Sequence, residues 1–421
     1  MTDLYLNHYQ KEYRKNNKNC HREQRGIIKE ISVLFGFFFS QKLSGLCWEV
    51  RFLIFTCAEI EVLALCAWCK DLPVDKAQIF PQDIIDLLCS LKLIRQIRCG
   101  LGYRVTPEGY VLLQRAGINF EPDKEYRSQG SVLTRRLQTA EITGFFWKCG
   151  ADVFCKAPYM GNDAKKFLPS FALRRKTFAN VLGGTRLAGF YYTDFHTFIP
   201  YYISSENNGI YADVEQRTFR SETLLCKRKP FVLYTGTGTL ENILEFLVTQ
   251  RCKKEKNTTD SYKTAAEKFG CPVAVIPLNE NGIHQLSILE IPDYRDKLIR
   301  HILGKDYLTP KVTQSDGLSK TTKEHYIIGI DCNILRFEAV IKASRTNTHI
   351  ILLPEQVDAV SKFLKGKSAI LHSIDTEMVE QFFGIPHGIK NPPASPFQTG
   401  KGDYVYVPLI RQDKKTRRKS G

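Results

Sequence analysis

Three acidic residues are the strongest candidates for catalytic chemistry in this sequence. Asp213 and Glu215 are separated by one residue, so they would share one face of a strand. Asp331 follows a short apolar run at 326–330. A metal-dependent nuclease needs carboxylates of this kind around a divalent cation. The pattern does not fix the geometry of the three side chains, and a solvated strand edge explains Asp213 and Glu215 at least as well.

Two tyrosine pairs offer a different chemistry. Tyr191-Tyr192 and Tyr201-Tyr202 could supply the nucleophile of a DNA-nicking relaxase. Such enzymes often hold a metal between two histidines placed one residue apart on a strand. None of the nine histidines in the sequence has a partner at that spacing. Because tyrosines in strands commonly pack, the pattern favours a structural role for both pairs.

A glycine turn and a cysteine pair give no support for a cofactor. Gly236-Thr-Gly238 resembles a phosphate loop, but the lysine that would reach the phosphates is missing. Cys66-Ala-Trp-Cys69 lacks a second pair at zinc spacing and lies in a helical pattern. We therefore predict no cofactor, and a divalent metal only if the protein is a nuclease.

The charge balance favours a polyanionic partner. The 421 residues include 60 Lys and Arg against 44 Asp and Glu, which gives a formal net charge of +16. An excess of this size, clustered along the chain, is typical of proteins that bind nucleic acid, although it also serves general solubility. The length leaves room for about two or three domains.

Cysteine usage and the apolar segments indicate a cytoplasmic protein. The 13 cysteines are an odd number and lie mostly in apolar runs, as buried free thiols do. The sequence begins Met1-Thr-Asp-Leu-Tyr5, which lacks the plan of an export signal. The uncharged run 31–41 is shorter than the roughly 18 residues that a membrane-spanning helix needs. We therefore predict no membrane span and expect a buried helix pair between residues 31 and 70.

The elements that would position a DNA contact lie between residues 84 and 117. Apolar residues recur at helical spacing over 84–91, and 94–97 has a strand-like mixture. Glycines at 100 and 102 allow a sharp turn. Thr106-Pro107-Glu108 combines a capping hydroxyl, a proline at the first helical position and a carboxylate, which predicts a helix that ends at Gly117. A helix followed by a two-stranded wing is typical of a winged helix, with 51–70 as its early helix.

Basic residues on this unit and on the next helix are the candidate DNA contacts. An amphipathic helix is predicted over 131–147. Asp83, Asp86 and Ser90 lie opposite the apolar stripe of the first helix, where two carboxylates would repel DNA, so the prediction rests on the wing. A winged helix that binds protein instead remains open. The candidate DNA-binding residues are Lys92, Arg95, Arg98, Tyr103 and Arg104 around the wing, and Arg135 and Arg136 on the next helix.

The second half alternates strand-like and helical segments, which predicts a protein of the α+β or α/β class, with an N-terminal winged helix-turn-helix followed by a mixed α/β domain. Strands are expected over 187–192, 198–203, 231–234, 271–277, 326–330 and 349–353, and helices over 236–247 and 354–364. The predicted organisation is a basic arm (1–25), a winged-helix DNA-binding domain (26–120), a connecting helix (121–164), the first part of the α/β domain (165–308), a linker (309–324), the second part of the α/β domain (325–410) and a basic tail (411–421).

Several of these segments, in this order, resemble the replication-relaxation family of plasmids and integrative conjugative elements of Gram-positive bacteria. The similar segments are 102–109, 134–142, 186–192, 330–337 and 349–353, so the resemblance spans about residues 50–385. It implies binding of double-stranded DNA during replication, relaxation or transfer of a mobile genetic element, with conjugation or replication proteins as further partners. It supplies no catalytic residue, because the acidic, nuclease-like signature of some family members is degraded in this sequence.

Three functions therefore remain as hypotheses. The first is a cytoplasmic DNA-binding protein that acts at the origin of a mobile element. The second is a relaxase or metal-dependent nuclease with its site in the α/β domain. The third is a winged-helix adaptor that binds protein.

Overall fold

The computed structural model describes residues 50–74, 80–97, 100–120, 130–161, 165–174, 178, 180–204, 209–236, 238–249, 260–386 and 404–410. The predicted basic arm, Arg98 and the predicted basic tail lie outside these residues. The predictions made for them stay predictions.

Within these residues the protein is a mixed α+β structure, as the sequence predicts, with fourteen α-helices and four sheets. The helices are α1 (Cys57–Cys69), α2 (Gln82–Ser90), α3 (Pro107–Arg115), α4 (Ser131–Lys148), α5 (Ser170–Arg174), α6 (Ala212–Phe219), α7 (Glu222–Leu225), α8 (Leu240–Thr249), α9 (Tyr262–Phe269), α10 (Glu280–Leu289), α11 (Tyr294–Leu303), α12 (Ile334–Ala343), α13 (Pro354–Leu364) and α14 (Thr376–Phe383). The strands are β1 (Val50–Thr56), β2 (Leu72–Pro73), β3 (Ile94–Gln96), β4 (Gly102–Val105), β5 (Lys166–Pro169), β6 (Gly189–Tyr192), β7 (His196–Tyr202), β8 (Lys229–Gly236), β9 (Val273–Pro277), β10 (Tyr307–Leu308), β11 (Gly317–Ser319), β12 (His325–Ile328), β13 (Thr348–Leu352), β14 (Ala369–Ser373) and β15 (Tyr404–Ile410).

The N-terminal unit is built around helix α1. Residues 60–69 of this helix are all buried, because it is apolar on nearly every side and contacts α2, α3 and α4. A capping box fixes its start: the Thr56 hydroxyl accepts from the Glu59 amide at 3.2 Å, and the Glu59 carboxylate accepts from the Thr56 amide at 2.7 Å. Strands β2, β4 and β3, in that order, form an antiparallel sheet in the same unit.

One predicted element is wrong in this unit. The sequence predicts a helix over 51–70, but Val50–Thr56 is strand β1, which pairs antiparallel with β15 from Val50 opposite Ile410 to Thr56 opposite Tyr404. The cap at Thr56 delays the helix to Cys57. The partner strand lies some 350 residues away, beyond the reach of any local pattern.

The two five-stranded sheets share one topology. In the orders β5-β6-β7-β8-β9 and β10-β11-β12-β13-β14, the first two strand pairs are antiparallel and the last two are parallel. The helix after the final strand begins in the same way in each: Asn279 accepts from the Gly282 amide at 3.1 Å, and Asp375 accepts from the Met378 amide at 2.9 Å. The two five-stranded sheets therefore share one strand arrangement, and segment 309–324, expected as a linker, contains strand β11 of the second sheet.

Both faces of the first sheet are buried, as parallel strands covered by helices require. On one face Phe198, Phe231 and Leu233 belong to the same apolar cluster as Phe146 of α4. On the other face, residues such as Tyr234 pack with Ile243 of α8. Helix α4 thus connects this sheet with β2 of the N-terminal unit.

The predicted strand pair Asp213 and Glu215 lies instead in helix α6. Ala212, Glu215 and Thr218 are buried three residues apart, which is helical periodicity, while Asp213 is exposed. The two carboxylates therefore do not share a face. In the part of the chain that the structure describes, no helix is both long and apolar enough to cross a membrane.

Candidate nucleic-acid interface

The hairpin β3–β4 carries basic residues and is packed against the core at one end. Ile94 and Val105 are opposite each other and buried, which anchors the hairpin to the core. Arg95 and Arg104 form the next pair and lie on the other face, where Arg95 is exposed. The Gly100 backbone has φ +71°, a conformation that glycine adopts without strain.

Arg104 is held by an acidic residue that the sequence analysis did not single out. Its Nε donates a hydrogen bond to Oδ1 of Asp71 at 2.8 Å, and the Asp71 side chain is 0% exposed against 26% for Arg104. Asp71 lies between α1 and β2, 33 positions earlier in the chain. The ion pair fixes Arg104 against the body of the unit, unlike its exposed neighbour Arg95.

Lys92 and Tyr103 flank the hairpin in different environments. Lys92 is exposed in the turn between α2 and β3, with φ +57°, and its carbonyl accepts from the Thr106 hydroxyl at 2.7 Å. Tyr103 is half-buried against the core, and its carbonyl accepts a weak hydrogen bond from Sγ of Cys66 at 3.6 Å. Lys92 and Arg95 are thus the exposed cations among the described candidates on the hairpin.

Helix α2 turns its acidic residues to solvent, as the sequence predicts. Asp83, Asp86 and Ser90 are exposed, whereas Ile85 and Leu88 are buried. At this surface, Gln82 Nε2 donates to Oδ1 of Asp86 at 2.8 Å. This face carries negative charge and is a poor surface for phosphate.

Arg135 and Arg186 form a second group of basic residues, which lies beside the first five-stranded sheet. Nη2 of Arg135 donates to the carbonyl of Thr185 at 2.9 Å. Burial lowers the pKa of Arg135, and the nearby positive charge of Arg186 lowers it further. Arg186 itself is exposed and was missed by the sequence analysis. Arg136, the neighbouring candidate on α4, is half-buried.

Two of the three catalytic candidates, Glu215 and Asp331, occupy structural positions, whereas Asp213 is exposed on α6. Glu215 is buried and accepts hydrogen bonds from the Arg186 amide at 2.5 Å and from the Tyr201 hydroxyl at 2.8 Å. Asp331 is also buried, and it forms ion pairs with Arg295 and Arg336. Among the described residues, no three His, Cys, Asp or Glu side chains form a group that could hold a metal ion.

The two tyrosine pairs pack in the first sheet. Tyr191, Tyr192 and Tyr201 are fully buried. Burial raises the pKa of each of these three hydroxyls well above its ordinary value. Their hydroxyls donate to Glu290, to the Leu224 carbonyl and to Glu215, respectively. Tyr202 donates to Glu141 at 2.9 Å. Buried, protonated phenols with fixed partners are poorly placed to attack DNA.

The cysteine pair is likewise in the core. Cys66 and Cys69 are buried in α1, and burial raises the pKa of Cys66 well above its ordinary value and that of Cys69 to about 12. Protonated thiols are weak metal ligands and weak nucleophiles. The nine cysteines that the structure describes are free thiols.

Comparison of the sequence with protein-family models, with curated proteins and with solved structures found no match. The resemblance to the replication-relaxation family stays a prediction from short motifs.

Proposed function

We propose that this protein binds double-stranded DNA through the hairpin β3–β4, with Lys92 and Arg95 on the phosphate backbone. The observation that carries the proposal is the exposure of Arg95 on a hairpin whose base, Ile94 and Val105, is buried, together with that of Lys92 in the turn that leads into it. Because the buried base holds the backbone of the hairpin, little backbone entropy is lost when these side chains contact a phosphate.

The order of elements supports a winged-helix interpretation of this unit. Helix α1, strand β2, helix α2 and the hairpin β3–β4 follow one another, and the sheet order is β2-β4-β3. In such a unit the hairpin would be the wing. In the sequence, Arg98 falls between Arg95 and the turn glycine Gly100, which would add a further cation there.

The wing, rather than helix α2, is the proposed contact. Asp83 and Asp86 on the exposed face of α2 would meet phosphates with like charge, whereas Lys92 and Arg95 follow directly after that helix. The net charge of +16 supplies the long-range attraction that steers DNA toward the protein.

We further propose that the DNA belongs to a mobile genetic element and that the protein acts in its replication, relaxation or transfer in the cytoplasm. This rests on the family resemblance of the short motifs. A nuclease or relaxase gains no support from Glu215 and Asp331, since both carboxylates are buried and engaged. The exposed carboxylates of α2 are the observation that favours a protein-binding adaptor as the second candidate.

A salt titration of DNA binding tests the proposal. The anisotropy of a labelled duplex is measured with the wild-type protein, with Arg95→Ala and with Arg345→Ala, which removes an exposed cation from the loop before β13. If Arg95 contacts a phosphate, its loss weakens binding to all sequences and reduces the slope of log K against log salt by about 1. Arg345→Ala should match the wild type.

Two results would contradict the DNA proposal. One is the absence of binding at low salt, which would favour the adaptor. The other is equal binding by Arg95→Ala, Lys92→Ala and the wild type. Metal-dependent nicking of supercoiled plasmid that is lost in Asp213→Ala or in Asp331→Ala, each shown to be folded by circular dichroism, would support the enzyme instead.

A further inference from the structure

Two histidines from neighbouring strands of the second five-stranded sheet meet at hydrogen-bonding distance. Nδ1 of His349 in β13 lies 2.7 Å from Nε2 of His372 in β14, and their ring centroids are 5.0 Å apart. Tyr326 of β12 stacks on His349, with 4.4 Å between centroids and 8° between planes. Three adjacent parallel strands thus place three rings side by side.

A carboxylate fixes the orientation of His349. Oε2 of Glu324 lies 3.0 Å from Nε2 of His349. Because a carboxylate accepts hydrogen bonds, Nε2 carries the proton in the neutral ring, and the lone pair of Nδ1 points toward His372. Hydrogen bonds from His349 and then Thr322 lower the pKa of Glu324, so this carboxylate stays ionised at neutral pH.

The contact between Glu324 and His349 is typical of metal-binding histidines. A ligating imidazole usually donates its second N–H to a carboxylate, which sets the tautomer and increases the basicity of the ligating nitrogen. Nδ1 of His349 and Nε2 of His372 converge to 2.7 Å, so both nitrogens face one point between the two strands. Both are available as ligands of one ion once the proton between them is displaced to water.

We propose that His349 and His372 bind one divalent transition-metal ion of the Zn²⁺ class, with Glu324 as the positioning residue for His349. Two bonds of about 2.05 Å at the tetrahedral angle place ligand nitrogens about 3.3 Å apart. The imidazoles must separate by roughly half an ångström from 2.7 Å, which the exposed ring of His372 can supply by a small rotation.

The chemistry of the ligands selects the ion. Imidazole nitrogens favour Zn²⁺, Ni²⁺ and Cu²⁺, whereas Mg²⁺ and Ca²⁺ prefer oxygen ligands. The described residues provide no group of three ligating side chains, so the other coordination positions face water or an oxygen of a bound anion. The ion is expected to bind more weakly than a structural zinc with four protein ligands.

The metal itself is the probe for the test. The full-length, chelator-treated protein is titrated with Zn²⁺ by calorimetry, alongside His372→Ala and a control, His284→Gln. His284 is a matched control, because its Nδ1 also contacts a carboxylate, Glu380 at 2.6 Å, but no second imidazole is placed on it in the described structure. We expect His372→Ala to lose one Zn²⁺ equivalent and His284→Gln to retain it.

Glu324→Gln separates positioning from ligation. It keeps a hydrogen-bond acceptor for His349 without the charge, so Zn²⁺ should still bind, with an affinity reduced about 10- to 100-fold. Thermal unfolding with and without Zn²⁺ gives a second readout, since an ion that binds the folded state raises Tm in the wild type and not in His372→Ala.

The proposal fails if His372→Ala and His372→Gln, each folded by circular dichroism, bind Zn²⁺ with the wild-type stoichiometry and affinity. The contact of 2.7 Å would then be a hydrogen bond between two imidazoles and nothing more. Because His372 is exposed on the strand at the edge of its sheet, these variants should fold even if His349→Ala does not.

Discussion

Arg104 donates from Nε to Oδ1 of the fully buried Asp71 at 2.8 Å, and this ion pair ties the hairpin β3–β4 to the segment after α1. The neighbouring Arg95 is exposed on the same face of the hairpin. Of two arginines that look equivalent in the sequence, one is therefore paired with a buried carboxylate and the other is exposed, and the proposed DNA contact uses the exposed one.

The first prediction separates these two roles. Arg104→Ala leaves a buried carboxylate without its guanidinium partner, so it should lower the free energy of unfolding by about 1–3 kcal/mol. Arg95→Ala, at an exposed position, should change stability by less than about 0.5 kcal/mol. Urea unfolding followed by circular dichroism measures both, and equal stabilities for the two variants would contradict the structural role of Arg104.

The second prediction concerns Asp331, which lies among buried charges. Its Oδ2 is 3.4 Å from Nε of Arg336, and it also forms an ion pair with Arg295. Removing one partner of a buried ion pair leaves the other buried charges less well compensated. Asp331→Ala should therefore lower the free energy of unfolding by about 3–5 kcal/mol. The exposed Asp213 is the control, and Asp213→Ala should cost less than about 0.5 kcal/mol. Similar denaturation midpoints for both variants would show that Asp331 is not structural.

Local patterns in the sequence predict much of the secondary structure but little of the pairing. Helix α13 has the predicted bounds, Pro354–Leu364, because proline at the start and helical spacing of apolar residues both mark it. The hydroxyl of Thr106 caps α3 as predicted, accepting from the Gly109 amide at 3.1 Å. The strands predicted at 187–192 and 198–203 are β6 and β7, and they are adjacent.

The errors and omissions have two physical sources. Asp213 and Glu215 fit a strand by their spacing, but the longer period of Ala212, Glu215 and Thr218 identifies the helix. The other contacts join distant positions: His349 and His372 are 23 residues apart and meet because their parallel strands are neighbours. The spacing of histidines along a single strand does not show a pairing between two strands.

The third prediction tests the link between the N-terminal unit and the first five-stranded sheet. Phe146 of α4 stacks on Phe167 at 4.6 Å and on Tyr191 at 4.4 Å between ring centroids. Truncation to alanine opens a cavity among these rings, so Phe146→Ala should lower the free energy of unfolding by about 3–5 kcal/mol. Val132, on the same helix, is 56% exposed, and Val132→Ala serves as the control. A loss below about 1 kcal/mol for Phe146→Ala would mean that the stacking of these rings contributes little to the free energy of unfolding.

The fourth prediction is a loss of stability in acid that depends on His325. This side chain is buried, with Nδ1 3.1 Å from Oγ of Ser315, and burial lowers its pKa below the ordinary value of 6.5. As the pH falls below 6.5, the unfolded chain takes up a proton that the folded chain does not.

The contribution of His325 is therefore fully present above pH 6.5 and decreases as the pH falls toward the lower pKa of the folded state. His325→Asn keeps a polar partner for Ser315 but does not titrate, so its stability should fall less steeply with acid than that of the wild type. Free energies of unfolding measured from pH 8 to pH 5 give the two slopes directly. Parallel curves for the two proteins would show that His325 is protonated equally in the folded and unfolded states.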